Sequence, residues 1–102
     1  MDRLAQERLK KEFSLPGGTK CLGYVINEER SDEYLHSFNE NDYLYSWYWT
    51  IRPELAFRFK KLHSAKKAKQ GYTKRATIIC YLFETPTHFF VTPVEGEIKE
   101  WV

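Results

Sequence analysis

The stretch Tyr43–Ile51 reads YLYSWYWTI, and its alternation decides the fold class. Tyr43, Tyr45, Trp47, Trp49 and Ile51 fall on one side of an extended chain, with Leu44, Ser46, Tyr48 and Thr50 on the other. That period of two, in β-branched and aromatic residues, is the mark of a strand with one buried face. Just downstream, Pro53 stands where a first helical turn tolerates it, and Glu54 suits the positive end of a helix. Gly71 stands where a left-handed stop is wanted, so Pro53–Gln70 reads as a helix. Its buried stripe would be Leu55, Phe59, Leu62 and Ala65, with Arg58, Lys60, Lys61, Lys66, Lys67 and Lys69 flanking it and facing solvent. Residues 55–60 read two ways, because Leu55, Phe57 and Phe59 also alternate with Ala56, Arg58 and Lys60 as in a strand. The start and stop signals favour the helix.

Working outward, Thr73–Glu84 is apolar on both faces from Ala76 onward, as a central strand is. Thr85, Pro86 and Thr87 make a turn and His88–Thr92 returns as the second arm of a hairpin. The tail Val94–Val102 adds a short edge strand ending on Trp101. Upstream, Leu4, Ala5, Leu9 and Phe13 recur at helical spacing over Asp2–Phe13, with Pro16, Gly17 and Gly18 closing the pattern. Lys20–Ile26 reads as a strand with Leu22, Tyr24 and Ile26 on one face and Cys21 and Val25 on the other. Residues 28–42 hold Glu28, Glu29, Asp32, Glu33, Glu40 and Asp42 against the single base Arg30. This stretch is expected to be an acidic loop containing one helical turn capped by Ser31. The order gives an α+β fold in a single domain over residues 1–102. Its mixed or antiparallel sheet has about four strands, with an N-terminal helix and one basic helix packed on one face.

With 102 residues the chain is one domain's worth. Leu, Ile, Val and Phe supply 25 residues, enough to exclude disorder, and aromatics at 17% point to a core of large flat side chains. No uncharged run approaches a membrane span and no signal-like apolar stretch follows Met1, so a cytoplasmic protein without membrane contact is expected. Cys21 and Cys80 lie far apart without a CxxC spacing, which fits a reducing compartment. Cys80, within a branched and aromatic run, reads as core; Lys20 beside Cys21 would lower that thiol's pKa slightly. A disulfide between the two is the lesser alternative.

Charge is segregated more sharply than its total of +2 conveys. From Leu55 to Phe83 there are Arg58, Lys60, Lys61, Lys66, Lys67, Lys69, Lys74 and Arg75, and no acidic residue. Such a field draws phosphates, and its preponderance of lysine over arginine favours backbone contact over base-specific readout. The plainer alternative is a solvated helix face whose lysines pair with the acidic loop. A second candidate surface is the aromatic strand, where Tyr43, Tyr45, Trp47 and Trp49 form either the core under a helix or a face on which bases or a partner's apolar groups stack. If they are core, Tyr48 becomes the surface residue. A third is the acidic stretch, where Asp32, Glu33, Glu40 and Asp42 beside Tyr34 and Phe38 would suit the basic site of a protein partner.

Catalytic signals are thin. His36, His63 and His88 form no metal-ligand spacing, so no metal and no cofactor is expected. Gly17, Gly18, Thr19 and Lys20 lack the order of a phosphate-binding loop and precede a strand. The expectation is a small non-enzymatic binding module that contacts the nucleic-acid backbone through the basic helix and the start of the strand after it. The alternative is a protein-binding adaptor or inhibitor using the acidic loop and aromatic face. A metal-independent nuclease built on His63 with Lys60, Lys66 and Tyr72 ranks third. The separated charges would also suit a homodimer.

Overall fold

The computed structural model describes residues 3–40, 45–72 and 76–94. In chain order they form α1 (Arg3–Glu12), β1 (Lys20–Glu28), β2 (Glu33–Glu40), β3 (Tyr45–Thr50), a 3-10 turn (Pro53–Leu55), α2 (Leu62–Gly71), β4 (Thr77–Glu84) and β5 (Phe89–Pro93). The strands make one antiparallel sheet in the order β3-β2-β1-β4-β5. This is the expected α+β class with five strands in place of about four.

The extra strand is β2, which replaces the expected acidic loop. Its apolar residues sit at uneven spacing because the register shifts between Leu35 and Ser37. The bulge brings Leu35 and Phe38 to the same side of the sheet, so strict alternation is lost from the sequence. Ser31 does not cap a helical turn. Its backbone N–H donates to Glu28 Oε2 at 3.2 Å, its hydroxyl donates to the same oxygen, and Arg30 N–H donates to Oε1 at 3.3 Å. Glu28 is 2% exposed, and its carboxylate thus organises the turn joining β1 to β2. Asp32 closes that turn with φ 53° and accepts a hydrogen bond from Asn27 Nδ2 at 3.1 Å.

One side of the sheet carries Tyr24, Ile26, Leu35, Ile79, Tyr81 and Phe83, and both helices pack there through Ala5 and Leu9 of α1 and Leu62, Ala65 and Ala68 of α2. The other side carries Val25, Ile78, Cys80 and Leu82, with Ala56 beyond the 3-10 turn packed among them. Burial on both sides explains why Thr77–Phe83 of β4 is buried throughout. A second bulge, between Cys21 and Gly23, corrects the face assignment upstream of it. Cys21 joins the helix-covered side and Leu22 the opposite side, the reverse of simple alternation.

The largest departure lies in Pro53–Gln70, where a continuous helix is expected. One 3-10 turn forms at Pro53–Leu55, and Ala56 then turns extended at φ −67° and ψ 149°. Phe57 N–H donates to Leu35 O at 2.7 Å, while Phe59 and Tyr24 exchange N–H···O=C bonds at 2.8 Å in both directions. Residues 57–59 are therefore wedged between β1 and β2, which pair directly at Asn27↔Tyr34 and Glu28↔Glu33. The strand reading of Phe57 and Phe59 prevails because two polar ladders and a shared aromatic pocket outweigh local helix signals. The helix starts at Leu62, and Gly71 is its last residue without a left-handed stop, since Tyr72 caps it at φ −105°.

α1 ends in a Schellman motif. Leu15 N–H reaches Lys10 O at 2.9 Å and Ser14 N–H reaches Lys11 O at 3.1 Å, with Ser14 left-handed at φ 51°. Leu4, one of the four apolar residues at helical spacing, is 83% exposed, and the helix packs through Ala5 and Leu9. After β5, Val94 N–H donates to Ile79 O at 2.9 Å; the proposed edge strand ending on Trp101 lies outside the described residues. No helix among the described residues is long and apolar enough to cross a membrane.

Candidate nucleic-acid interface

α2 buries Ala65 and Ala68, which fixes the direction of everything else on it. Small residues at that spacing let the helix lie close on β1 and β4 and push the long side chains outward. Lys66 and Lys67 are exposed on its outer surface, and Lys60 and Lys61 are exposed on the extended approach to it. Lys69 is half-buried nearer the sheet. Among the described residues no carboxylate lies within ion-pair distance of Lys60, Lys61, Lys66 or Lys67. Pairing with the acidic stretch therefore does not account for these four charges.

Arg58 does not join this group. It alternates with Phe57 and Phe59, whose rings pack toward Phe38, and its guanidinium Nη2 donates to Glu54 O at 3.3 Å. Lys74 and Arg75 lie outside the described residues.

The aromatic strand packs its tryptophans against the residue that follows the helix. Phe38 stacks on Trp47 at 5.2 Å between centroids, and Trp47 and Trp49 lie 5.2 and 5.0 Å from the ring of Tyr72, just past the end of α2. Phe57 and Phe59 extend the same line of rings through Phe38 at 5.4 and 6.1 Å. Trp47 and Trp49 are half-buried against the core, whereas Tyr48, on the opposite side, is 60% exposed. Tyr43 lies outside the described residues, and for Tyr45 only its backbone place at the start of β3 is described.

Where α2 meets this aromatic line, Lys66, Lys69, Gln70 and Tyr72 line an open pocket of about 430 Å³. Lys66, Lys69 and Gln70 share one helix face by their i, i+3, i+4 spacing, and Tyr72 forms the far wall. The sequence offers Tyr72 as one aromatic among the basic residues and as a member of the third-ranked nuclease set; its contact with both tryptophans is a product of the fold. A second open pocket of about 510 Å³ lies where the β4–β5 turn faces Pro53 and Glu54. Its charged lining is Glu54 and Glu84, of the wrong sign for phosphate, and His88 sits there with Nδ1 at 3.1 Å from Thr85 Oγ1 and 3.0 Å from Thr87 Oγ1.

The acidic candidates are dispersed by the fold. Asp32 is exposed in the β1–β2 turn, Glu33 is half-buried in β2 opposite Glu28, Glu40 is the last residue of β2, and Asp42 lies outside the described residues. His36, His63 and His88 are all exposed, and the described residues contain no group of three or more His, Cys, Asp or Glu able to hold a metal ion. Cys21 and Cys80 lie on opposite sides of the sheet and are not joined, so the alternative of a disulfide is not realised. Burial pushes the Cys21 thiol up, against smaller opposing effects of a Gly23 backbone hydrogen bond and the Lys10 charge, so the expected lowering by Lys20 is reversed. Compared with protein-family models, with curated proteins and with solved structures, the chain matches none of them.

Proposed function

We propose that the chain is a non-enzymatic binding module that contacts the nucleic-acid backbone through Lys60, Lys61, Lys66 and Lys67, with Lys69 at the edge of the same surface. The observation that supports this reading is the set of four exposed lysines without a carboxylate partner among the described residues. A solvated lysine face gains little from its charges, but each phosphate it neutralises releases a counterion. Four such contacts give a slope of about −3 to −4 in log affinity against log salt. Anisotropy of labelled DNA and RNA at low and moderate salt measures that slope. Lys66→Glu with Lys67→Glu, both at exposed positions, should remove about two units of it and leave thermal unfolding unchanged. Salt-independent binding, or a salt slope that the double substitution leaves unchanged, rejects the reading.

A second reading, a protein-binding adaptor, draws support from Tyr48, Ile51 and Leu55, which are 60%, 75% and 48% exposed. Large apolar side chains left exposed within one short stretch of the chain suit a protein partner or a second copy of the chain. Sedimentation at low and high salt separates the two. Self-association that persists in high salt and disappears with Tyr48→Ser and Ile51→Ser favours the adaptor.

A further inference from the structure

We infer that the pocket between α2 and Tyr72 seats an unpaired base, so that the nucleic acid recognised is single-stranded. The inference rests on the backbone-contact reading and goes further, because phosphate contact alone does not distinguish single strands from duplex. A volume of about 430 Å³ falls in the roughly 300–1,000 Å³ range of small-ligand sites and is far smaller than a duplex. Its lining has the two parts that single-strand sites combine: a cation, Lys66, and an aromatic ring, Tyr72. Trp47 and Trp49 lie behind Tyr72 at 5.2 and 5.0 Å, so the phenol ring is held in place and gives up little freedom when a base stacks on it. Gln70 adds an amide that donates and accepts hydrogen bonds, which pairs with the edge of any base without choosing strongly among them. The pocket at the β4–β5 turn presents Glu54 and Glu84 and would repel the phosphate that every nucleotide brings with it.

The test is anisotropy of a labelled single-stranded DNA and of the same sequence in a duplex, with the full chain, alongside quenching of tryptophan fluorescence. The single strand should bind about tenfold or more tightly than the duplex and quench Trp47 and Trp49 through Tyr72. Tyr72→Leu should weaken single-strand binding by about tenfold while leaving the duplex affinity unchanged, and Tyr72→Phe should restore it. Should Tyr72→Leu lose its fold, Gln70→Glu at an exposed position serves in its place, and single-strand affinity must then fall more than duplex affinity. Equal affinity for both forms overturns the inference, as does a Tyr72→Leu variant that folds and binds normally. If both forms bind equally and the salt slope still falls in Lys60→Glu with Lys61→Glu, neither of which lines the pocket, the backbone-contact reading stands without the pocket. Absence of binding to either form overturns both.

Discussion

Tyr24 and Phe59 each donate a backbone N–H to the other's carbonyl at 2.8 Å, which makes a segment outside the regular strands a member of the sheet. That exchange depends on the residue beside Tyr24. A Cβ built on Gly23 would lie 2.8 Å from Phe59 O, and Gly23 has φ 144°, where a side chain is strained in any surroundings.

Gly23→Ala should therefore destabilise the protein by about 2 to 4 kcal/mol, combining backbone strain with displacement of Phe59. Gly17→Ala, whose added Cβ would meet nothing within 4 Å, should change stability by no more than about 0.5 kcal/mol. Urea unfolding of both variants checks the contrast, and equal effects would show that the wedge contributes nothing.

Ser14→Gly should stabilise the chain by about 0.5 to 1 kcal/mol, because the Schellman motif of α1 holds this residue at φ 51°. Asp32 has a similar φ of 53°, but its carboxylate accepts from Asn27 Nδ2, so Asp32→Gly should give no such gain. Thermal denaturation distinguishes the two outcomes.

Glu28→Ala should cost about 2 to 3 kcal/mol, since it leaves the N–H groups of Arg30 and Ser31 without their charged acceptor. Amide exchange in the β1–β2 turn should accelerate in that variant, while exchange in β5 stays slow.

Tyr34 supplies a pH dependence. Burial, with the negative charge of Asp32 and then Cys80 adding to it, pushes its phenol up to about 12. A raised folded-state pKa favours the protonated form, so the contribution is full below the ordinary tyrosine value of about 10 and is lost as pH rises from there toward about 12. Urea midpoints should fall across that window in the parent chain and fall less in Tyr34→Phe. Identical alkaline slopes would remove Tyr34 as the cause.

The elements legible in the sequence are those with unbroken periodicity. β3 and β4 follow from alternation in Tyr43–Ile51 and from the doubly apolar run after Ala76, α1 follows from its spaced apolar residues, and of the expected helix Pro53–Gln70 only the part from Leu62 onward forms as α2. What escaped was governed by partners distant in the chain. β2 is concealed by a bulge that sets Leu35 and Phe38 out of phase, and by carboxylates whose role in organising a turn shows only once Glu28 is buried. Residues 57–59 did carry a strand signal, but nothing local indicates that β1 and β2 diverge and leave a gap for them. At the site, the lysines of α2 were legible from composition. The support behind Tyr72 was not, because Trp47 and Trp49 reach it from another strand.

The wedge also divides the molecule into mechanical parts. β2 with β3 forms one ladder and β1 with β4 and β5 another, and besides the two residue pairs near the turn they are joined through Phe57 and Phe59. Withdrawal of that segment would part the ladders like a book opening at its spine. The amides of Tyr24, Phe57 and Phe59 would then exchange together, as a single opening event with its own free energy, below that of global unfolding.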